Sequence, residues 1–135
     1  MRSKKGVLCK ILKGGIMMKL GDVVRTADFK AEKHVPVIEC PDKAAMNVPF
    51  NVTVSVGKEI SHPNTTEHHI KWIDLYVHYE NDPNTVHLGR YDFGPVVSDP
   101  VVTVKVKLQK KGTLIALSYC NLHGLWESRK EINLE

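Results

Sequence analysis

From Val48 to Val56 the chain alternates. Val48, Phe50, Val52, Val54 and Val56 are separated by polar or small residues such as Asn51, Thr53 and Ser55. A period of two puts the apolar set on one face, which predicts a half-buried β-strand. The same signal recurs at Val102, Val104, Val106 and Leu108, with Thr103, Lys105 and Lys107 turned to water. Ile70–Tyr79 and Thr113–Tyr119 are rich in aromatic and β-branched residues and predict further strands. Val35–Cys40, Val86–Asp92 and Trp126–Leu134 complete the set. Breakers separate them: Pro41-Asp42, Gly57, the run Glu80–Asn84, Gly94-Pro95 and Lys110-Lys111-Gly112. About seven short strands without a convincing helix predict an all-β fold, an antiparallel β-sandwich of immunoglobulin-like size. No stretch is repeated or of low complexity.

Composition narrows the function classes. A chain of 135 residues, 42% hydrophobic and 25% charged, suffices for one soluble domain with a proper core. No apolar run approaches the roughly 20 residues of a membrane-spanning helix. The net charge of +4 is concentrated at the start, where residues 1–17 hold Arg2, Lys4, Lys5, Lys10 and Lys13 and no acid. Without those five, 14 basic residues face 15 acidic ones. The body therefore has no surplus for a basic face, and a nucleic-acid partner is not expected. Lys10 and Lys13 interrupt the apolar stretch that a secretory signal needs. The Met17-Met18 pair offers an internal start. The expected division is a basic extension, 1–17, outside the fold, and one domain over 18–135. Three cysteines, Cys9, Cys40 and Cys120, make no disulfide framework and fit a reducing cytoplasm.

The chemistry gathers in the connections. Cys120 and His123 stand three positions apart in one turn, and both residue types bind zinc, iron and copper well. Glu32 and His34 lie upstream; His62, His68 and His69 lie in the connection after Gly57. His68 and His69 are adjacent and, if extended, point to opposite faces, so one ion is expected to use one of them. His78 and His87 fall inside strand patterns and are poorer candidates. Each segment alone has an ordinary explanation: a core cysteine, a polar loop, a solvated charge pair. Together, on the loops of a rigid sandwich, they point to one metal centre.

Three motifs in order then carry a resemblance: Glu32-Lys33-His34-Val35-Pro36; Gly57-Lys58-Glu59-Ile60 running to His62-Pro63-Asn64-Thr65-Thr66-Glu67-His68-His69-Ile70; and Ser118-Tyr119-Cys120-Asn121-Leu122-His123-Gly124-Leu125-Trp126. Over roughly residues 18–135 the chain resembles the superoxide reductases of one-iron type, the neelaredoxins and the iron-binding domain of desulfoferrodoxin. The resemblance implies one mononuclear non-haem iron, cycling between Fe2+ and Fe3+. It would be held by His34, His62, His68 and His123 around an axial Cys120 thiolate. Glu32 would be a sixth ligand of the oxidised metal, and His69 no ligand. Lys33 would attract superoxide and help deliver protons as it is reduced to hydrogen peroxide. A separate rubredoxin-like donor, a cytoplasmic location and a homo-oligomer, such as a tetramer, are implied as well. A counterpart of the four-cysteine domain of longer relatives is not expected, since only Cys9 precedes residue 18. The 93–100 segment looks shorter than the family's loop. The main rival is a β-sandwich metal-binding electron-transfer protein without this activity. Its copper version needs a downstream axial methionine, and the last methionine is Met46.

Overall fold

Each period-two stretch becomes a strand in the structure, a computed structural model that describes residues 18–135. The basic segment 1–17, with Cys9, lies outside the described residues. After a short 3-10 turn at Leu20–Asp22 the strands are β1 (Pro36–Glu39), β2 (Lys43–Ala44), β3 (Phe50–Val56) and β4 (Ile70–Tyr79). They continue with β5 (Thr85–Asp92), β6 (Val101–Val106), β7 (Gly112–Cys120) and β8 (Gly124–Leu134). One sheet has the order β1-β3-β6, the other β2-β8-β7-β4-β5. The described residues thus hold eight strands rather than seven. The addition, β2, is two residues long and pairs in parallel with the end of β8. Two residues are too few to show an alternation, so β2 leaves no trace in the hydrophobic pattern. The other strand-to-strand pairings among the described residues are antiparallel.

Alternation decides which side chains meet between the sheets. Val52 and Val54 of β3 face Ile73, Leu75 and Val77 of β4, Leu114 and Ala116 of β7, and Ile132 of β8, in one buried cluster. Burying each Leu or Ile stabilises the fold by about 1.5–3 kcal/mol. Val48 departs from the expected pattern: it precedes β3 and is 52% exposed. Leu108 lies beyond β6 yet is fully buried, and its carbonyl accepts the Asn47 N–H. Among the described residues no helix is long and apolar enough to cross a membrane.

The outer face of the larger sheet holds a buried charge. Asp74 of β4 accepts two hydrogen bonds from its cross-strand partner Arg90 (Nε to Oδ1 and Nη2 to Oδ2, both 2.8 Å) and one from the Tyr76 hydroxyl (3.0 Å). The Arg90 guanidinium lies 4.0 Å from the Trp72 ring centre, and Trp72 stacks on Tyr119. Burial opposes ionisation of Asp74, but the bonds from Arg90 and Tyr76 outweigh it and hold its carboxyl below the usual 3.8. A depressed carboxyl stabilises the fold fully above its unfolded pKa, and that contribution is lost as pH falls through the folded one. The urea midpoint of the metal-free protein is therefore expected to drop on acidification below about pH 4. Asp74→Asn should show a shallower drop in that window, and an unchanged slope would remove Asp74 as its source. Arg90→Ala, which leaves the carboxylate underpaired, should lower the urea midpoint at neutral pH.

Candidate metal centre

Strand register brings the candidate residues to one end of the sandwich. Pro36, at the start of β1, pairs with Val56, at the end of β3. Ile70, at the start of β4, pairs with Cys120, at the end of β7, and Cys120 in turn pairs with Gly124, which opens β8. His34 thus enters from the approach to β1, His62 and His68 from the β3–β4 connection, and Cys120 and His123 from the β7–β8 hairpin. Met46, the last methionine, precedes β3 and sits at the far end of that strand.

The side chains converge. One donor atom from each of His34, His62, His68 and Cys120 lies within 4.8 Å of the others. His123 joins them through Nδ1, 3.1 Å from His34 Nε2, 3.2 Å from His68 Nε2 and 3.8 Å from Cys120 Sγ. The imidazoles form a ring in the order His34, His62, His68, His123. Neighbouring centres are 4.7–4.9 Å apart and tilted edge to face, and the His34–His68 diagonal is 6.2 Å. Cys120 is fully buried, whereas His123 is exposed. The thiol stands on the protein side of the cluster, and solvent reaches it from the imidazole side.

Proton positions explain why these nitrogens can share a point. His34 Nδ1 meets Glu32 Oε1 at 2.6 Å, and His62 Nδ1 meets the Pro63 carbonyl at 2.7 Å. Carbonyl and neutral-pH carboxylate oxygens only accept, so both Nδ1 atoms hold the proton and both Nε2 lone pairs face inward. Burial pushes His62 down to about 4, with smaller contributions from His34, His68 and Lys33. His68 is lowered by burial, then by His123, His34 and Lys33. Neutral imidazoles are the ligand form. Glu32 is held below its ordinary value because the His34 bonds outweigh its partial burial.

A metal ion fits this donor set. His62 Nε2 is buried without a hydrogen-bond partner. A single proton on His123 Nδ1 cannot serve two nitrogens and a sulfur at once. Adjacent ligands at about 2.1 Å from one ion stand roughly 3 Å apart, close to the two N···N separations observed. His69 is directed elsewhere: its Nδ1 bonds the Thr65 carbonyl and its N–H the Asn121 side chain. Glu32 is not among the converging donors, since its carboxylate sits on the far nitrogen of His34. Lys33 leaves its mark as a positive charge acting on His62 and His68.

The profile described as desulfoferrodoxin matches residues 26–129. The chain belongs to the desulfoferrodoxin family. A neelaredoxin of Megalodesulfovibrio gigas is 48% identical over 130 residues, covering 87% of this chain and all of that one. A superoxide reductase of Pyrococcus horikoshii is 48% identical over 119 residues, covering 86% and 99%. The solved superoxide reductase (neelaredoxin) of Ignicoccus hospitalis superposes with a TM-score of 0.79 at 47% identity, covering 87% and 100%.

Around the donors lies support to which the sequence assigned no role. The Trp126 indole stacks on His34 (5.1 Å, 14°), holds the Arg25 guanidinium 4.2 Å from its ring centre, and donates Nε1–H to the His123 carbonyl at 3.2 Å. Ser118 Oγ donates to the His34 carbonyl at 3.2 Å. Asn121 accepts from His69 N–H and donates to the Glu67 carbonyl, lacing the hairpin to the β3–β4 connection. Trp126 and Asn121 lie inside the third motif, whose spacing was the available signal.

Gly57 has a second kind of role. Its φ is +91°, and a Cβ there would stand 2.7 Å from the His62 backbone nitrogen. Gly57→Ala is expected to cost about 1–2 kcal/mol from the left-handed backbone alone. It should also lower the metal content of the purified protein, because His62 must move. A variant as stable and as fully loaded as wild type would show that the loop can yield.

Proposed function

We propose that this chain is a superoxide reductase whose metal is iron, held by His34, His62, His68, His123 and Cys120. The observation that carries the reading is the convergence of four imidazoles over one buried sulfur, with the imidazole side open to water. Each turnover adds one electron and two protons to a superoxide anion and gives one hydrogen peroxide. Bound iron, held by the four imidazoles and the Cys120 thiolate, would supply that electron.

The residues divide the remaining work. Neutral imidazoles add no charge of their own, and Lys33 brings a positive charge that acts on His62 and His68. Lys33 steers superoxide toward the open side and passes protons through water. Glu32 fixes the His34 tautomer, as carboxylates behind ligating histidines do. Serving as sixth ligand to the oxidised metal would require its carboxylate to leave His34 Nδ1. Re-reduction calls for an outside electron donor of rubredoxin type. A homo-oligomer, such as a tetramer, and a cytoplasmic setting complete the reading.

Metal analysis and the visible spectrum test it. One iron per chain is expected, with a thiolate-to-ferric band that disappears in Cys120→Ser. Stoichiometric zinc or copper after anaerobic expression, with no such band, would overturn the assignment. For Lys33→Ala, pulse radiolysis should show a slower bimolecular reaction with superoxide and a weaker salt dependence at unchanged iron content. An unaltered rate at low salt would remove Lys33 from steering.

A further inference from the structure

We propose that Asn64 is a positioning residue for the metal centre. It fixes the stretch of loop that carries His62, and so sets where that imidazole stands, without being a ligand itself. The inference rests on the metal-centre reading above.

The four histidines are held in different ways. His34 has Glu32 on its outer nitrogen and Trp126 against its face. His68 enters β4 directly, with its N–H donated to Thr65 Oγ1 at 3.0 Å. His123 sits in a short hairpin turn whose carbonyl takes the Trp126 N–H. His62 stands in mid-loop, and its one ring hydrogen bond goes to Pro63, the next residue of the same loop. That bond sets the tautomer but moves with the loop. The arm therefore needs holding through its backbone.

Two contacts hold it. Before His62, Gly57 packs against the His62 nitrogen, as described. Beyond His62, Asn64 reaches the β5–β6 connection with both ends of its amide. Its Nδ2 donates to the Ser98 carbonyl at 3.2 Å and stands 3.5 Å from Asp99 Oδ1, and its Oδ1 accepts the Val96 N–H at 2.8 Å. The receiving loop is in turn fixed to the sheet, because the Pro100 carbonyl takes the Val56 N–H at 3.0 Å. The circuit is closed: β3, Gly57, His62, Asn64, the 94–100 loop, and back to β3.

The loop adopts an unfavourable shape to make this contact. Val96 has a φ of +75°, a region that β-branched residues avoid. Val96 is 57% and Val97 is 91% exposed, so side-chain burial contributes little to holding the turn. What engages it at Val96 is the bond to Asn64. Strain of this kind persists where surrounding contacts over-determine the backbone, and it clusters near functional sites.

The test is ferrous iron affinity, measured anaerobically against a competing chelator, together with melting of the metal-free protein. Asn64→Ala is expected to bind iron roughly tenfold more weakly, the usual scale for residues that orient ligands, and to shift the ferric visible band. A residue that merely stabilised the fold would lower melting and leave affinity and spectrum as they are; that result overturns the proposal. Should Asn64→Ala not fold, Asn64→Asp decides. It keeps an acceptor for the Val96 N–H and loses the donor to Ser98, so weakened affinity supports the assignment and wild-type affinity overturns it. Wild-type protein that binds no iron would overturn the metal-centre reading itself.

Discussion

Two outward-facing protons organise the site. An imidazole can turn only one nitrogen toward a shared point, and a partner on the other fixes the ring against flipping. Glu32 occupies it on His34, and the Pro63 carbonyl occupies it on His62. With those protons tied down, the inward nitrogens are bare lone pairs, and bare lone pairs at close range repel. The fold accepts that repulsion at one end of the sandwich, where His62 Nε2 is left buried and unpaired. A cation turns the same geometry from a cost into a gain. The surrounding strands serve to hold the donors against each other until it arrives.

That requirement explains why the sandwich matters. Five donors come from three segments separated by dozens of residues, and none of those segments could build the site alone. Antiparallel register brings them together, because the beginnings of β1, β4 and β8 lie beside the ends of β3 and β7. The interior supplies stiffness through fully buried Ile73, Leu75 and Leu114. The edge supplies solvent access.

Much of this could be read along the chain, for reasons that differ by feature. Period-two alternation records burial directly, so the long strands were legible nearly to the residue; Ile70–Tyr79 is β4 as expected. The two-residue β2 was not, since its existence depends on the end of β8 rather than on any pattern of its own. Val48 shows the opposite error, an alternation continuing past the point where the partner strand stops. The donor set was legible because cysteine and histidine in loops have few structural reasons to be there, and the motif order sharpened it. What surrounds the donors was not legible. Ring stacking by Trp126, the carbonyl of Pro63 and the clamp by Asn64 depend on which loops become neighbours, and distance along the chain does not encode that. Glu32 illustrates the limit: its importance was visible, but its seat behind His34 came only with coordinates.

One feature of the cluster reaches further than its geometry. His34 and His68 offer the nitrogen at the far tip of the ring, while His123 offers the one next to its own backbone. The hairpin therefore approaches the centre more closely than the other two segments do, by about the width of an imidazole. Turn length and choice of nitrogen are consequently a single decision. A residue inserted between Cys120 and His123 would push the backbone outward and leave the near nitrogen short of its target. Along this chain, tolerance to insertion should follow the reach of the donor rather than the exposure of the loop.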